Sequence, residues 1–444
     1  MTSRPTTYRP ASLATFERPT THAPTFTPRG SRVRVQIPDR PDGADSVRLV
    51  VAGDWAAVRE FSSAADVDPA SLYGSLHPRI ADADLSVVNL ECPLGGETPI
   101  IKDGPNFRCE PRCALALARA GFHVATLANN HIYDQGAEGL DATLGACRDA
   151  GLLTVGAGRN TASAMEPLFI EVKGLRVGLL SLSEVSTIDR QHGGAAPMFD
   201  VHVLDRCREA RRHCDHLLVI VHGGKEYAPF PPPYWYRQVL AVAGAGADAV
   251  IGHHPHVPQG MTLAQTDSGQ TVPVVFSTGN FVFPPRTPTA VMSAWMPLGY
   301  LVELRLASDG LHGLDLVPYR IELPHGVRGL QADQVTRFTA FIAALSAPLT
   351  DPAQVEQWFN DYCDYFWRHE WFNRVEGLTA KLCRDDMQGL RHGRSHFQIR
   401  AHSKLIDRVI ARKLAGTYGD TPAERLDVLQ RWFRGEWPER VLPE

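Results

Sequence analysis

Between Val47 and about Ile321 the chain repeats one pattern: a short apolar run rich in Val, Ile and Leu that ends on residues able to hold a cation. Leu49-Val50-Val51-Ala52-Gly53 runs into Asp54, Ser86-Val87-Val88 into Asn89-Leu90-Glu91, and Val124-Ala125-Thr126-Leu127-Ala128 into Asn129-Asn130-His131. Further on, Leu217-Leu218-Val219-Ile220-Val221 meets His222, with Glu226 four residues later. Ala249-Val250-Ile251-Gly252 meets His253-His254-Pro255-His256, and Val274-Val275-Phe276 meets Ser277-Thr278-Gly279-Asn280. Runs that are apolar along their length read as strands covered on both faces. The spacing predicts strands at Val47–Gly53, Leu85–Glu91, His123–Ala128, Leu168–Val172, Arg176–Ser181, His216–His222, Ala249–Gly252, Val272–Ser277, Gly299–Leu306 and Gly313–Tyr319. Helical patterns at Glu110–Ala120, Ala137–Ala150, Val201–Cys214 and Tyr234–Gly246 separate the earlier ones. That alternation specifies an α/β sheet layered with helices, with a more antiparallel edge from Val257 to Tyr319. Parallel strands end on a common edge, so these segments converge on one cleft.

Length and charge bound the rest. The chain has 444 residues, 45 Lys+Arg against 49 Asp+Glu and a net charge of -4, with 44% hydrophobic and 21% charged residues. This excludes a strongly basic nucleic-acid coat and a disordered chain. No run approaches the roughly 20 apolar residues of a membrane span, and Met1 is not followed by an export signal, so a cytoplasmic protein is expected. The cysteines form no CxxC pair, which argues for reduced thiols rather than a disulfide scaffold or zinc ribbon. No GxxxxGK[ST] and no GxSxG is present.

Three parts are expected: 1–44, 45–323 and 324–444. Residues 1–44, rich in Thr, Pro and Arg, read as a flexible N-terminal arm or a strap on the domain surface. Residues 45–323 form the main domain. Residues 324–444 read as a helical C-terminal extension, with helices at Ala332–Leu345, Val355–Trp371, Ala380–Gly389, Ser395–Leu414 and Pro422–Phe433. The aromatics of this tail suit a hydrophobic core or a homodimer surface, not a base-stacking platform, so no nucleic-acid partner is expected.

Oxygen and imidazole ligands without cysteine suit Mn, Fe, Zn or Mg. Two cations about 3.5–4 Å apart need a carboxylate between them, and Asp54 and Glu91 are the available anions. His254 and His256, spaced i,i+2, can give one ring to each. Each element has an ordinary reading too: Gly-Asp after a strand is usually a turn or cap, Asn-Asn-His an Asx-turn, and a lone His after a buried strand a core residue. Their recurrence at successive strand ends carries the inference.

The ordered set AGDW, VVNLECPL, LANNHIYDQGAEGLDATL, VGAGRN, VHGGKEY, IGHHPHVPQG and FSTGNFVF resembles the bacterial CapA (poly-γ-glutamate capsule biosynthesis) family, which is similar to calcineurin-like metallophosphoesterases. The resemblance implies a calcineurin-like α/β sandwich, two β-sheets flanked by helices. It implies one or two divalent ions (Mn, Zn or Fe) on Asp54, Glu91, Asn130, His222, His254 and His256, with His131 as acid and Asp134 orienting it. Asn89, Glu226, His253 and Asn280 would lie beside the ligands or touch substrate, and Arg108, Lys225 and Arg286 are candidates for holding a phosphate or carboxylate. The D-x-H of the wider phosphoesterases is absent, because Trp55 and Ala56 follow Asp54, and Glu91 stands where an Asp is usual. A mononuclear or asymmetric centre follows from that departure. The implied activity is metal-dependent hydrolysis of an amide, γ-glutamyl-type or phosphoester bond in a small-molecule or peptide-like anionic substrate. The alternatives are a non-catalytic metal-containing binding protein in anionic polymer biosynthesis and an ATP-dependent amide-bond-forming enzyme.

Overall fold

The apolar runs become strands buried on both faces: every residue of Leu85–Leu90, His216–His222 and Ala249–His253 is buried. Such strands need cover above and below, and the chain supplies it by layering two sheets with helices outside them. The computed structural model describes residues 19–37, 46–102, 104–186, 192–266, 268–371, 400–438 and 441.

One sheet has seven strands, in the order Thr20–His22, Met261–Gln265, Thr271–Val275, Ala249–His253, His216–His222, Leu175–Ser183 and Leu168–Val172. Its middle pairs are parallel and its flanks antiparallel. The other sheet runs Thr25–Arg29, Arg32–Gln36, Gly310–Glu322, Leu298–Ala307, Val47–Trp55, Leu85–Leu90, Val124–Thr126 and Leu153–Val155, and Asn280–Val282 pairs alongside Val47–Trp55. The antiparallel edge expected after Val257 is the Met261–Gln265/Thr271–Val275 pair together with Leu298–Ala307 against Gly310–Glu322. This is the two-sheet α/β sandwich that the family resemblance implies.

Parallel register then places the polar strand ends. Asp54 lies opposite both Asn89 and Asn280, Asn89 opposite Thr126, and His222 opposite His253. At two points the backbone must pass so closely that a side chain has no room. A Cβ on Gly53 would lie 2.3 Å from the Gly279 carbonyl oxygen, and one on Gly252 would lie 2.2 Å from that of Phe276.

Residues 20–36 depart from a flexible arm. Thr20–His22 joins one sheet, while Thr25–Arg29 and Arg32–Gln36 form a hairpin on the other, so the segment straps both sheets together. Val33 and Val35 alternate inward and are buried, and Gly30, at φ +60°, makes the turn. Residues 1–18 and 38–44 of the expected arm lie outside the described residues.

In the tail, helices form at Ala332–Ser346, Pro352–Phe366, Arg400–Leu414 and Ala423–Arg434. The helix expected at 380–389 and the first residues of the one expected at 395–414 lie outside the described residues. Asp351 caps the second helix by accepting the Ala353 amide at 2.8 Å. Trp432, Phe433, Tyr365 and Phe366 are buried and belong to the same apolar cluster as the seven-stranded sheet. These four aromatics are thus core. Trp432 Nε1 donates to the Tyr227 carbonyl at 2.9 Å, and buried Asp364 pairs with Arg412 Nη1 at 2.8 Å. Among the described residues no helix is long and apolar enough to cross a membrane.

Gly252→Ala should destabilise the fold by about 2 kcal/mol or more, because the added methyl meets backbone rather than a movable side chain. Chemical denaturation checks this, and an unchanged midpoint would show that the crossing relaxes freely.

Candidate metal centre

Asp54 emerges from its strand where the two sheets meet. Its Oδ1 accepts from Asn89 Nδ2 at 2.7 Å, and its Oδ2 accepts from the His254 amide at 3.3 Å, so one carboxylate ties the strand ends of both sheets. His253 Nδ1 and His256 Nδ1 stand 3.5 and 3.6 Å from its oxygens. The Glu91 amide donates to the Trp55 carbonyl at 2.9 Å, which sets Glu91 beside Asp54. Its side chain is fully buried, and neither carboxylate oxygen receives a hydrogen bond. The nearest imidazole nitrogens are His222 Nε2 at 3.3 Å and His256 Nε2 at 3.9 Å from Oε1.

The donor atoms form two groups. Those of Asp54, Glu91 and His222 lie within 4.8 Å of one another, as do those of Glu91, His254 and His256. Glu91 belongs to both. Asn130 joins through its Oδ1, 2.9 Å from His222 Nε2, while Asn280 Oδ1 meets His256 Nδ1 at 2.8 Å and Thr278 Oγ1 meets His253 Nδ1 at 3.1 Å. The loop carrying the histidines is strained: His254 has φ +98° and His256 φ +58°, conformations that side chains other than glycine rarely take. It is held by the Pro255 carbonyl, which accepts from the Tyr227 amide at 2.8 Å, and by the His253 carbonyl, which accepts from Gly223 at 3.1 Å.

Burial governs the charges. It raises the carboxyls of Asp54 and Glu91 above their ordinary range and lowers His222 to about 3 and His253 to about 4. It also holds His254 well below its usual value. For His256, burial acts downward, but Glu91, Asp54 and Glu226 outweigh it and the ring is raised. A carboxylate without hydrogen-bond donors, beside His222, His253 and His254 held neutral by burial, is a set of lone pairs that a divalent cation satisfies, so these residues fit such an ion.

Beside this group stands a second pair. His131 Nδ1 is 2.7 Å from Asp134 Oδ2, which also accepts the Phe107 amide at 2.6 Å, and Lys102 bonds Asp134 and lies 3.1 Å from the same ring nitrogen. The His131 ring stacks on Phe107 with centroids 4.1 Å apart. With Asp134 on Nδ1, Nε2 is the nitrogen left to exchange a proton.

Asn130, His131 and His256 open into a cavity of about 220 Å³, whose wall includes Arg59, Lys102, Lys225, Glu226 and Arg286. The expected residues Lys225, Glu226 and Arg286 are therefore in place, while Asn89, His253 and Asn280 brace the ligands from below. Arg108 is not brought in. Its side chain is 42% exposed and reaches Glu110 at 3.8 Å, because it faces solvent beyond the cavity wall. Lys102, Arg59, Phe107, Phe366 and His402 were not singled out by the sequence reading, although Lys102 and Lys225 are two of only six lysines in the chain. A larger cavity of about 890 Å³ sits at the opposite edge, near His216, Asp248 and Thr271, where strands begin rather than end, and it lacks the ligand groups.

Residues 48–285 match the family model of the bacterial capsule synthesis protein PGA_cap, more than half of the chain, and the chain belongs to that family. It is 28% identical over 268 residues to the capsule biosynthesis protein CapA of Bacillus anthracis, covering 56% of this chain and 61% of that one. It is 30% identical over 205 residues to the PGA biosynthesis protein CapA of Bacillus subtilis (strain 168), covering 45% and 51%. A probable polyglutamine synthesis accessory protein of Mycobacterium tuberculosis is 25% identical over 268 residues, covering 56% and 69%. The chain thus spans between half and two thirds of the length of the two Bacillus proteins.

Glu91→Gln removes a charge that no donor compensates. Protonated Glu91 suits the metal-free fold, and that contribution is lost as pH rises through its raised folded-state value. At pH 7 the metal-free variant should therefore be more stable than the parent by about 1–2 kcal/mol. It should also retain less divalent metal on elemental analysis. A metal-free variant no more stable than the parent would show that the Glu91 charge is compensated.

Proposed function

We propose that this member of the family is a metal-dependent hydrolase acting on an anionic substrate. One or two divalent ions (Mn, Zn or Fe) are held by Asp54, Glu91, Asn130, His222, His254 and His256. The observation that carries the reading is Glu91, buried, without a hydrogen-bond donor, and common to both ligand groups. When bound, a divalent ion supplies electrophilic polarisation of the scissile bond and acidifies water toward neutrality.

The chain's own residues do the rest. Asn89 orients Asp54 and His222 through one amide group, and Asn280 fixes the His256 ring. Asp134 holds the His131 proton on Nδ1, so that protonated Nε2 can deliver a proton to the departing group. Lys225 and Arg286 hold negative charge at the cavity wall. The bond is of the amide or γ-glutamyl type, in keeping with the names of the relatives, or a phosphoester, in keeping with the resemblance to phosphoesterases. We place the work in the cytoplasm, a reading supported by the seven free cysteines among the described residues.

A second reading is favoured by the relatives' names, which speak of biosynthesis and an accessory role. It is a non-catalytic protein that uses the metal to hold an anionic polymer such as poly-γ-glutamate. His131 separates the two. His131→Ala should keep full metal content and lower turnover by at least about 100-fold on a panel of phosphoester and γ-glutamyl substrates with Mn, Zn and Fe. Asp134→Asn should fall between it and the parent. Unchanged turnover in His131→Ala, or no turnover in the parent with any metal, would overturn the hydrolase.

A further inference from the structure

The wall of the 220 Å³ cavity is not built from the family-matching residues alone. Phe366, at the end of helix Pro352–Phe366, and His402, in helix Arg400–Leu414, line it from beyond residue 285. Lys225 Nζ sits 5.2 Å from the centre of the Phe366 ring, a cation–π contact that fixes the ammonium at the wall. His402 lines the same cavity as Glu226 and the ligand candidate His256, so it stands at the heart of the site.

The tail is docked firmly enough to have a position of its own. Trp432 bonds the carbonyl of Tyr227, next to Glu226, and Glu356 bridges Arg237 of the core at 2.9 Å and Arg408 of the tail at 2.8 Å. Tyr365 donates to the Ala290 carbonyl at 2.8 Å, tying the helix to the loop that carries Val291 and Met292 of the same wall.

Charge and size narrow what the cavity takes. Among the described residues its lining holds Arg59, Lys102, Lys225 and Arg286 against a single carboxylate, Glu226. Lys102 pairs with Asp134, and Lys225 and Arg286 line the same cavity as Phe366 and His402. The volume is below the roughly 300–1,000 Å³ of pockets that enclose a drug-sized ligand, which suits an end group rather than a length of polymer.

We propose that the C-terminal helices complete the substrate site, with His402 and Phe366 as specificity-determining residues that, together with Lys225 and Arg286, hold a second anionic group of the substrate. That group is a carboxylate or a phosphate borne by a small molecule or by the terminal unit of a chain. The inference rests on the hydrolase reading for its reaction, though not for the anion contact itself.

The test is calorimetric titration of the full chain, both metal-depleted and Mn-loaded, with glutarate, inorganic phosphate and acetate. His402→Gln should weaken glutarate or phosphate by at least about fivefold while Mn affinity stays as in the parent, and acetate, a single carboxylate, should follow glutarate if the group held is a carboxylate. Phe366→Leu should weaken the same probe by releasing Lys225. Whichever of glutarate and phosphate shows the loss identifies the group. Parent-like affinity for both in His402→Gln and Phe366→Leu, with unchanged thermal midpoints, would overturn the proposal. So would a parent that binds neither. If Phe366→Leu does not fold, His402→Gln decides alone. Loss of the anion effect with metal retained sinks only this inference, whereas a parent that takes up no metal but keeps the effect sinks only the hydrolase.

Discussion

A carboxylate taken out of water must be met by donors or by a cation, and Glu91 receives no hydrogen bond and has only imidazoles, His222 at 3.3 Å and His256 at 3.9 Å, beside it. Much of the neighbouring architecture is explicable as the scaffold for that one buried charge. Asp54 stands close beside it and is itself raised partly by the Glu91 charge, so two like charges are held together against their repulsion. The folded chain holds them by register: Asp54, Asn89 and Asn280 lie across adjacent strands, and His222 and His253 across another pair. Close backbone crossings at Gly53 and Gly252 let the two rims meet, and the cost in conformational strain appears at His254 and His256.

The family match ends at residue 285, yet the cavity over the ligands is walled in part by side chains from helices beyond it. A floor inside the family match under a wall partly outside it lets the surroundings select what reaches the centre while the residues beneath stay fixed.

The candidate ligand residues were legible because each follows an apolar run, and a parallel strand delivers whatever follows it to a common edge. That rule picked out Asp54, Glu91, His222, His254 and His256 without reference to distance along the chain. Loops carry no such direction. Arg108 was chosen for its charge and faces solvent, while Lys102 and Arg59 reach the cavity from loop and turn positions that no periodicity marks. His402 is likewise one polar residue on an amphipathic helix, and only tertiary packing turns it inward. For residues 20–36 the Thr, Pro and Arg content left a flexible arm and a surface strap both open, and the alternation of Val33 and Val35 is the feature that separates them.

That strap has a consequence for how the molecule comes into being on the ribosome. Thr20–His22 finds its neighbour in Met261–Gln265, and Arg32–Gln36 finds its own in Gly310–Glu322, so the opening strands wait for partners synthesised some hundreds of residues later. Pairings that far apart in sequence are slow to close and leave strand edges bare in the meantime. At about 5–20 residues per second the wait is of the order of tens of seconds, long enough for a holding chaperone to matter to yield.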